Sequence, residues 1–341
     1  MKFWLERYPS NENPRPILEP RPEVEWEGRA VFNPSVVYDS GIFHMVYRTY
    51  PSTLKESTPR LNRAGYYFEN NISCVGYAQS TDGINFERRN LPFISPDTDY
   101  DCFSCEDPRM TKIGDTYYIT YTAIDAPIYN RDVKPKVRIA LASTKDFKSV
   151  TKHGIVGPPE KSKAAAILPD LVDDGKIGLM LTVSPDTGLS HISIRYYDNI
   201  EQLIGASSES WGEYFTKEQI VMKTQPWLYR GPELGAVPVK TKLGWLIIFS
   251  SEAMSASWTI GAALLDAESP HKLIARAPGC ILQPVATYER EGLVPNVTFP
   301  EGAVVAGDNL YVYYGCADTV IGLATCKLND LLDYITKYEA H

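Results

Sequence analysis

Runs in which hydrophobic and polar residues alternate recur along the chain and predict β-strands. The first run extends from Phe32 to Arg48 and is typical of a strand, a tight turn at Ser40-Gly41 and a second strand. Further runs of this kind begin at Asp107-Pro108, Leu168-Pro169, Val237-Pro238 and Phe299-Pro300. The pattern therefore predicts five units that are rich in β-strands.

The five units recur at similar intervals, which indicates a repeat fold. Their opening prolines lie at positions 34, 108, 169, 238 and 300, so the units begin 74, 61, 69 and 62 residues apart. A β-sandwich does not explain such a period, whereas a β-propeller does. We predict an all-β fold, a five-bladed β-propeller of four-stranded blades, whose innermost strands surround a central funnel.

The propeller is expected to occupy residues 1–341 as one domain. Residues 1–28 are rich in proline and lack periodicity, so they are expected to wrap the outside of the fold. Residues 328–341 form a C-terminal segment, and an amphipathic helix is predicted from Leu328 to Lys337. The hydrophobic fraction of 44% allows a sizeable core.

Charge and hydropathy exclude several classes of partner. The net charge is −8 and the basic residues are scattered, so neither a nucleic-acid nor a membrane partner is expected. No apolar run approaches the roughly 20 residues of a membrane-spanning helix. The N-terminus has no apolar signal region, so a cytoplasmic location is predicted. Assembly into a homo-oligomer stays open.

The six cysteines do not predict a metal centre or a disulfide framework. Cys102 and Cys105 have the spacing of a zinc-binding pair, but no second pair exists and the five histidines are isolated. We therefore expect no metal and no cofactor.

The densest candidate chemistry is Glu106-Asp107-Pro108-Arg109, at the start of the second unit. Two carboxyl groups and a guanidinium at a strand start indicate either an active-site edge or a structural ion pair. Because Asn33 and the residues around Leu168, Val237 and Phe299 start the other units, polar groups at these positions are expected to converge on the funnel.

These segments resemble glycoside hydrolase family 130, the five-bladed mannoside phosphorylases and mannosidases, over nearly the whole chain. The matching segments are Phe32-Asn33-Pro34, Glu106-Asp107-Pro108-Arg109, Pro238-Val239-Lys240-Thr241 with Gly244-Trp245-Leu246, Tyr288 to Val297, and Tyr313 to Thr319.

The resemblance implies an inverting reaction on a mannose-containing oligosaccharide. It assigns Asp107 as the proton donor, acting through the mannose 3-hydroxyl. The like charge of Glu106 and partial burial predict a raised pKa for Asp107. The side chains expected to bind the mannoside are those of Asn33, Arg48, Glu106, Arg109, Lys163 and Asp318.

Three segments depart from the phosphorylase pattern, and two of these departures remove candidate phosphate ligands. Phe249-Ser250-Ser251 replaces a segment with a histidine, Thr182 to Pro185 replaces one with a histidine and an arginine, and Ala164 replaces an aspartate after Lys163. Losing two cationic ligands would forfeit the charge-assisted hydrogen bonds that hold phosphate.

New carboxyl groups occur in the same part of the sequence. The candidate bases that would activate water are Glu233 first, then Glu252 and Glu301. An inverting glycosidase needs such a base opposite its acid. The resembled family contains hydrolases that act chiefly on β-1,2-mannosides, so the resemblance implies a hydrolase, an inverting β-mannosidase that acts on β-1,2-linked manno-oligosaccharides.

Two other functions stay open. In a mannoside phosphorylase, Arg109, Lys163, Arg195 or Arg230 would supply the missing cations. A non-catalytic sugar-binding propeller would keep the mannose contacts without needing Asp107. The loop from Pro51 to Asn71 is either a border of the funnel that shapes the leaving-group subsites or a surface insertion. Its candidate residues are Lys55, Arg60, Arg63, Tyr66 and Tyr67.

Overall fold

The computed structural model of the chain confirms the five-bladed propeller. It describes residues 2–59, 66–127, 133–159, 161–172, 174–185, 190–206, 208–212, 219–225 and 228–339, so Arg60 and Arg63 lie outside the described residues. Five antiparallel sheets, each built on a path of four strands, surround the axis. Contacts between strands of neighbouring sheets close the ring.

The strands follow one another along the chain with turns and short loops between them. In chain order they are β1 (Glu6–Arg7), β2 (Ala30–Asp39), β3 (Ile42–Tyr50), β4 (Glu56–Pro59), β5 (Tyr66–Phe68), β6 (Val75–Ser80), β7 (Glu87–Arg88), β8 (Ser104–Ile113), β9 (Thr116–Ile124), β10 (Val137–Thr144), β11 (Thr151–Ile155), β12 (Ser162–Ile167), β13 (Ile177–Val183), β14 (His191–Tyr197), β15 (Gln219–Met222), β16 (Leu228–Leu234), β17 (Val239–Thr241), β18 (Gly244–Ala253), β19 (Trp258–Leu265), β20 (Leu273–Arg276), β21 (Thr298–Ala306), β22 (Asn309–Cys316) and β23 (Val320–Lys327).

The strands of each blade are given from the innermost to the outermost. Blade 1 contains β2, β3, β6 and β7, and blade 2 contains β8 to β11. Blade 3 contains β12 to β15, and blade 4 contains β16, β18, β19 and β20, with β17 beside β18. Blade 5 contains β21, β22, β23 and β1, while β4 and β5 form a separate hairpin.

The N-terminal segment supplies the outermost strand of the last blade. Glu6 pairs with Thr325 in β23, and Arg7 pairs with Ala324. The Arg7 Nε donates a hydrogen bond of 2.7 Å to the buried carboxylate of Glu289. The two ends of the chain are thereby joined within blade 5.

The predicted starts of the third and fourth blades are wrong. The innermost strands there are β12 and β16, which end before Leu168-Pro169 and Val237-Pro238. Prolines at strand starts are therefore not the repeated feature, since the third blade has alanine residues at the corresponding place.

The repeated feature is a β-bulge in every innermost strand. The bulges include Asn33, Asp107, Ala164 and Gly231, whose φ angles are 50°, 50°, 51° and 94°. The fifth bulge falls at Glu301. A bulge bends its strand and re-aims the residue at the bulge, and the bulge residues Asn33, Asp107, Ala164 and Glu301 all line the central cavity.

Helices lie outside this ring of strands. They are α1 (Ile200–Ile204), α2 (Thr287–Arg290), α3 (Leu328–Ile335) and the 3-10 turns Glu25–Glu27 and Ser208–Trp211. The predicted C-terminal helix is α3, which buries Leu331, Leu332 and Ile335 against blades 4 and 5. Among the described residues, no helix has both the length and the apolar composition needed to cross a bilayer.

Candidate active site

A cavity of about 430 Å³ opens where the innermost strands begin. Nine of the ten residues selected from the sequence line it, and they come from all five blades: Asn33, Arg48, Glu106, Asp107, Arg109, Lys163, Glu233, Glu301 and Asp318. The tenth residue, Glu252, is buried and does not line the cavity. The bulges contribute to this convergence, since Asn33, Asp107 and Glu301 lie at the bulges of blades 1, 2 and 5.

Asp107 occupies the centre of the polar contacts in this cavity. Its Oδ1 accepts a hydrogen bond of 2.8 Å from Asn33 Nδ2 and one of 2.9 Å from Arg48 Nη1. Its backbone oxygen accepts a hydrogen bond of 2.8 Å from Arg109 Nη1. Both the carboxylate and the left-handed backbone of Asp107 are therefore held in place.

Arg48 connects the two adjacent carboxyl groups. Its Nη2 lies 2.7 Å from Glu106 Oε1 and donates a hydrogen bond of 2.6 Å to the Tyr50 hydroxyl. Its guanidinium also lies 4.9 Å from the centre of the Phe32 ring. These contacts orient the guanidinium so that its Nη1 reaches Asp107.

The pKa values of Glu106 and Asp107 shift in opposite directions. Burial raises the pKa of Glu106, and the charge of Asp107 adds to that rise against the opposing charge of Arg48. Burial also acts to raise the pKa of Asp107, but the charges of Arg48, Lys163 and Arg109 outweigh it and lower that pKa. The raised pKa predicted for Asp107 is thus wrong. Arg48 and Lys163 belong to other blades, so their positions in the sequence did not show that they are neighbours of Asp107.

Arg109 joins three blades at the base of the cavity. Its Nε donates to Gly235 O at 2.8 Å, its Nη2 donates to Leu234 O at 3.1 Å, and that atom lies 3.2 Å from Glu301 Oε1. Its remaining Nη1 holds the backbone of Asp107. These contacts place Arg109 to position the backbone of Asp107, and Arg109 also lines the cavity.

Glu301 is a buried carboxyl group that forms an ion pair with Arg109 and also lies within the electrostatic reach of Asp107 and Arg48. Its side chain is 0% exposed, and neither oxygen meets hydrogen-bond geometry with a donor among the described residues. Burial raises the pKa of Glu301 well above its usual value, although Arg109 opposes the shift. Burial disfavours the charged carboxylate that a general base must present, which counts against Glu301 in that role.

We expect the substitution Glu301→Gln to change how stability depends on pH. The pKa of Glu301 is higher in the folded protein than in the unfolded chain. The contribution of Glu301 to the free energy of unfolding is therefore most favourable below the unfolded-state pKa and is lost as the pH rises through the folded-state pKa. The glutamine stays neutral and can still accept from Arg109. Thermal unfolding between pH 4 and pH 8 should show the variant gaining stability relative to the wild type as the pH rises. An unchanged difference across this range would contradict the prediction.

Glu233 and Glu252 occupy different places on blade 4. Glu233 lies opposite Ser250, is buried and lines the cavity. Glu252 lies opposite Arg230, and its Oε2 is 3.4 Å from Arg230 Nε. Glu233 is therefore the one of these two carboxylates that borders the cavity.

Cationic side chains also border the cavity. Lys163 and Arg230, both considered from the sequence, line it together with Lys161, which the sequence analysis missed. Arg195 is not among the lining residues, and its guanidinium lies 4.5 Å from the centre of the Trp211 ring. Among the described residues, no group of three or more His, Cys, Asp or Glu could hold a metal ion.

Several lining residues have buried polar atoms without a hydrogen-bond partner in the described part of the chain. They are the side-chain oxygens of Asn33, Asn71 and Glu301 and the Nε of Arg48. Unpaired buried acceptors in a cavity suit a ligand that donates several hydroxyl groups. Four aromatic side chains and one amide in the cavity lining were not selected from the sequence: Tyr50, Phe68, Trp258, Phe299 and Asn71. Tyr50 could have been found, since it lies two residues after Arg48 on the same strand face.

A propeller with a cavity of aromatic walls, unpaired acceptors and paired carboxyl groups belongs to the class of carbohydrate-active proteins. The chain is a member of glycoside hydrolase family 130, because the sequence model of that family, described as beta-1,4-mannooligosaccharide phosphorylase, matches residues 11–337. The family expected from the sequence is thereby confirmed.

Named relatives and solved structures match over nearly the whole chain. A 1,2-beta-oligomannan phosphorylase of Thermoanaerobacter sp. (strain X514) is 35% identical over 93% of this chain and 96% of its own. A beta-1,2-mannobiose phosphorylase of the same organism is 37% identical over 92% and 95%. The structure of the Listeria innocua beta-1,2-mannobiose phosphorylase with beta-1,2-mannobiose is similar with a TM-score of 0.78 and 26% identity, over 97% of this chain and 99% of the other.

Proposed function

We propose that this chain cleaves β-1,2-linked manno-oligosaccharides with inversion and transfers the mannosyl group to phosphate. The observation that carries the proposal is Asp107, held on the cavity wall by Asn33 and Arg48 beside unpaired acceptors. The names of the relatives support a β-mannoside as the substrate. They also favour phosphorolysis, the alternative in the sequence analysis, over the hydrolysis that was placed first there.

The proposed reaction needs an acid on one side of the bond and an acceptor on the other. Asp107 supplies the proton to the glycosidic oxygen through a sugar hydroxyl, which requires the bound phosphate anion to offset the cations that lower the pKa of Asp107. Burial raises the pKa of the neighbouring Glu106, and the charge of Asp107 adds to that rise. Asn33, Arg48 and Asp318 hold the mannose unit.

Phosphate is the first candidate acceptor because of the cations that border the cavity. Lys161, Lys163 and Arg230 line it. Cationic donors make the strong, charge-assisted hydrogen bonds by which proteins bind phosphate oxygens. This set replaces the histidine and arginine whose absence the sequence analysis noted.

Water is a second candidate acceptor, and Glu233 is the observation that favours it. Its carboxyl group is buried on the cavity wall. A carboxylate there would remove a proton from an attacking water, as inverting hydrolysis requires.

The acceptor can be identified from the product. Incubating the protein with β-1,2-mannobiose with and without phosphate should yield α-mannose 1-phosphate, at a rate that rises with phosphate concentration, detected by NMR. Free mannose as the only new product, formed equally without phosphate and reduced about 100-fold or more by Glu233→Gln, would replace phosphorolysis by hydrolysis. No cleavage under either condition would contradict both and support a sugar-binding propeller.

A further inference from the structure

The first blade carries an insertion at the mouth of the cavity. Its second and third strands, β3 and β6, are separated by residues 51–74, which contain the hairpin β4–β5. In blade 4 only residues 254–257 separate the corresponding strands, and in blade 5 only residues 317–319. Because Tyr50, the last residue of β3, pairs with Ala30 at the start of β2, the insertion leaves the blade on the side of the cavity.

The base of the hairpin is closed by backbone and amide hydrogen bonds. Glu69 N donates to Lys55 O at 3.0 Å, and Lys55 N donates to Asn70 Oδ1 at 2.9 Å. Asn70 Nδ2 in turn donates to Thr53 O at 3.0 Å. Both ends of the Asn70 amide are therefore used to hold the hairpin together.

The next asparagine has different surroundings. Asn71 lines the cavity and is 3% exposed, and its Oδ1 accepts no hydrogen bond from the described residues. Phe68 also lines the cavity, with its ring centre 6.0 Å from that of Tyr50. An aromatic ring beside an unpaired amide oxygen suits one sugar unit, which presents a C–H face and hydroxyl donors.

The position along the blade indicates which sugar unit this is. Arg48, which holds Asp107, lies two residues inside the end of β3, whereas Phe68 and Asn71 belong to the connection beyond that end. A mannose held by Asn33, Arg48 and Asp107 therefore lies deeper than the hairpin. The sugar attached to it extends toward the mouth and reaches Phe68 and Asn71.

We propose that Phe68 and Asn71 form a subsite for the leaving-group sugar and make the site selective for oligosaccharides over single mannose units. This inference rests on the proposed β-mannoside ligand. The sequence predicted that the loop from Pro51 to Asn71 either shapes the leaving-group subsites or is a surface insertion. The proposal assigns the first role to Phe68 and Asn71, which were not among the candidate residues of that loop.

Binding measurements can test the subsite without requiring turnover. The probes are mannose and the uncleavable sulfur-linked analogue of β-1,2-mannobiose, titrated calorimetrically into the whole protein. Asn71→Ala and Phe68→Ala should each weaken binding of the disaccharide analogue about 10-fold, since one hydrogen bond or one aromatic contact is lost. Mannose affinity should stay within about 2-fold. Asn70→Ala is the matched control for loosening the hairpin, and the disaccharide affinity of that variant should change less than that of Asn71→Ala.

Three results would overturn the subsite. Equal weakening of both probes would assign Asn71 and Phe68 to the deeper mannose. Unchanged disaccharide binding in both variants would remove them from the site. An effect of Asn70→Ala as large as that of Asn71→Ala would mean that hairpin order alone matters. Failure to cleave β-1,2-mannobiose, with the expected binding pattern intact, would instead count against the proposed reaction only.

Discussion

The substitution Asp107→Asn should lower the turnover of β-1,2-mannobiose by about 10²- to 10⁴-fold, the usual contribution of a positioned acid. The amide oxygen of asparagine can still accept hydrogen bonds from Asn33 and Arg48, so the shape of the site should persist. Substrate binding is therefore expected to stay within a few-fold of the wild type. Steady-state kinetics, together with titration of the sulfur-linked disaccharide, separates the loss of turnover from a loss of binding.

Asp39→Asn is the matched control for this loss of turnover. Asp39 pairs with Lys112 at 2.6 Å and is absent from the cavity lining, so this variant should keep wild-type turnover. Glu106→Gln tests the neighbouring carboxyl group. Near-normal turnover by Asp107→Asn, combined with a large loss in Glu106→Gln, would move the acid to Glu106 and refute the assignment to Asp107.

The substitution Arg109→Met should cost about 3–5 kcal/mol of unfolding free energy, because it leaves three carbonyl oxygens, two of them buried, without their donor, at about 1–3 kcal/mol for each buried unsatisfied group. Glu301 would lose its charged neighbour, and the carbonyl oxygens of Asp107, Leu234 and Gly235 would lose their donor. These groups belong to blades 2, 4 and 5, so the loss affects the centre of the propeller. Denaturant unfolding followed by tryptophan fluorescence measures the change.

Two variants show whether burial is the cause. Lys145→Met removes an exposed partner of Asp115 and should cost less than about 1 kcal/mol. The double variant Arg109→Met/Glu301→Met replaces both buried charged groups by apolar side chains and should recover part of the loss. A cost below about 1 kcal/mol for Arg109→Met alone would show that the pair contributes little to stability.

The motif around Asp107 shows which features the local sequence can predict and which it cannot. Two carboxyl groups and a guanidinium within four residues indicated a functional strand start, and the strand and its bulge are present there. The pKa direction of Asp107 was wrong because Arg48 and Lys163 approach from other blades. Glu252 shows the same limit, since its distance from the cavity depends on strand register and not on its place in the chain.

The sequence by itself determined the strands, the number of blades and the family. Side chains alternate across a strand with a period of two, so the alternation of hydrophobic and polar residues directly records which segments form sheets. The tertiary structure alone decided which strands start blades 3 and 4, which carboxyl groups border the cavity and which of these carboxyl groups have raised pKa values. Those properties depend on distances between side chains that lie many residues apart, and bulges, burial and neighbouring charges set these distances and their effects only after the blades have closed into a ring.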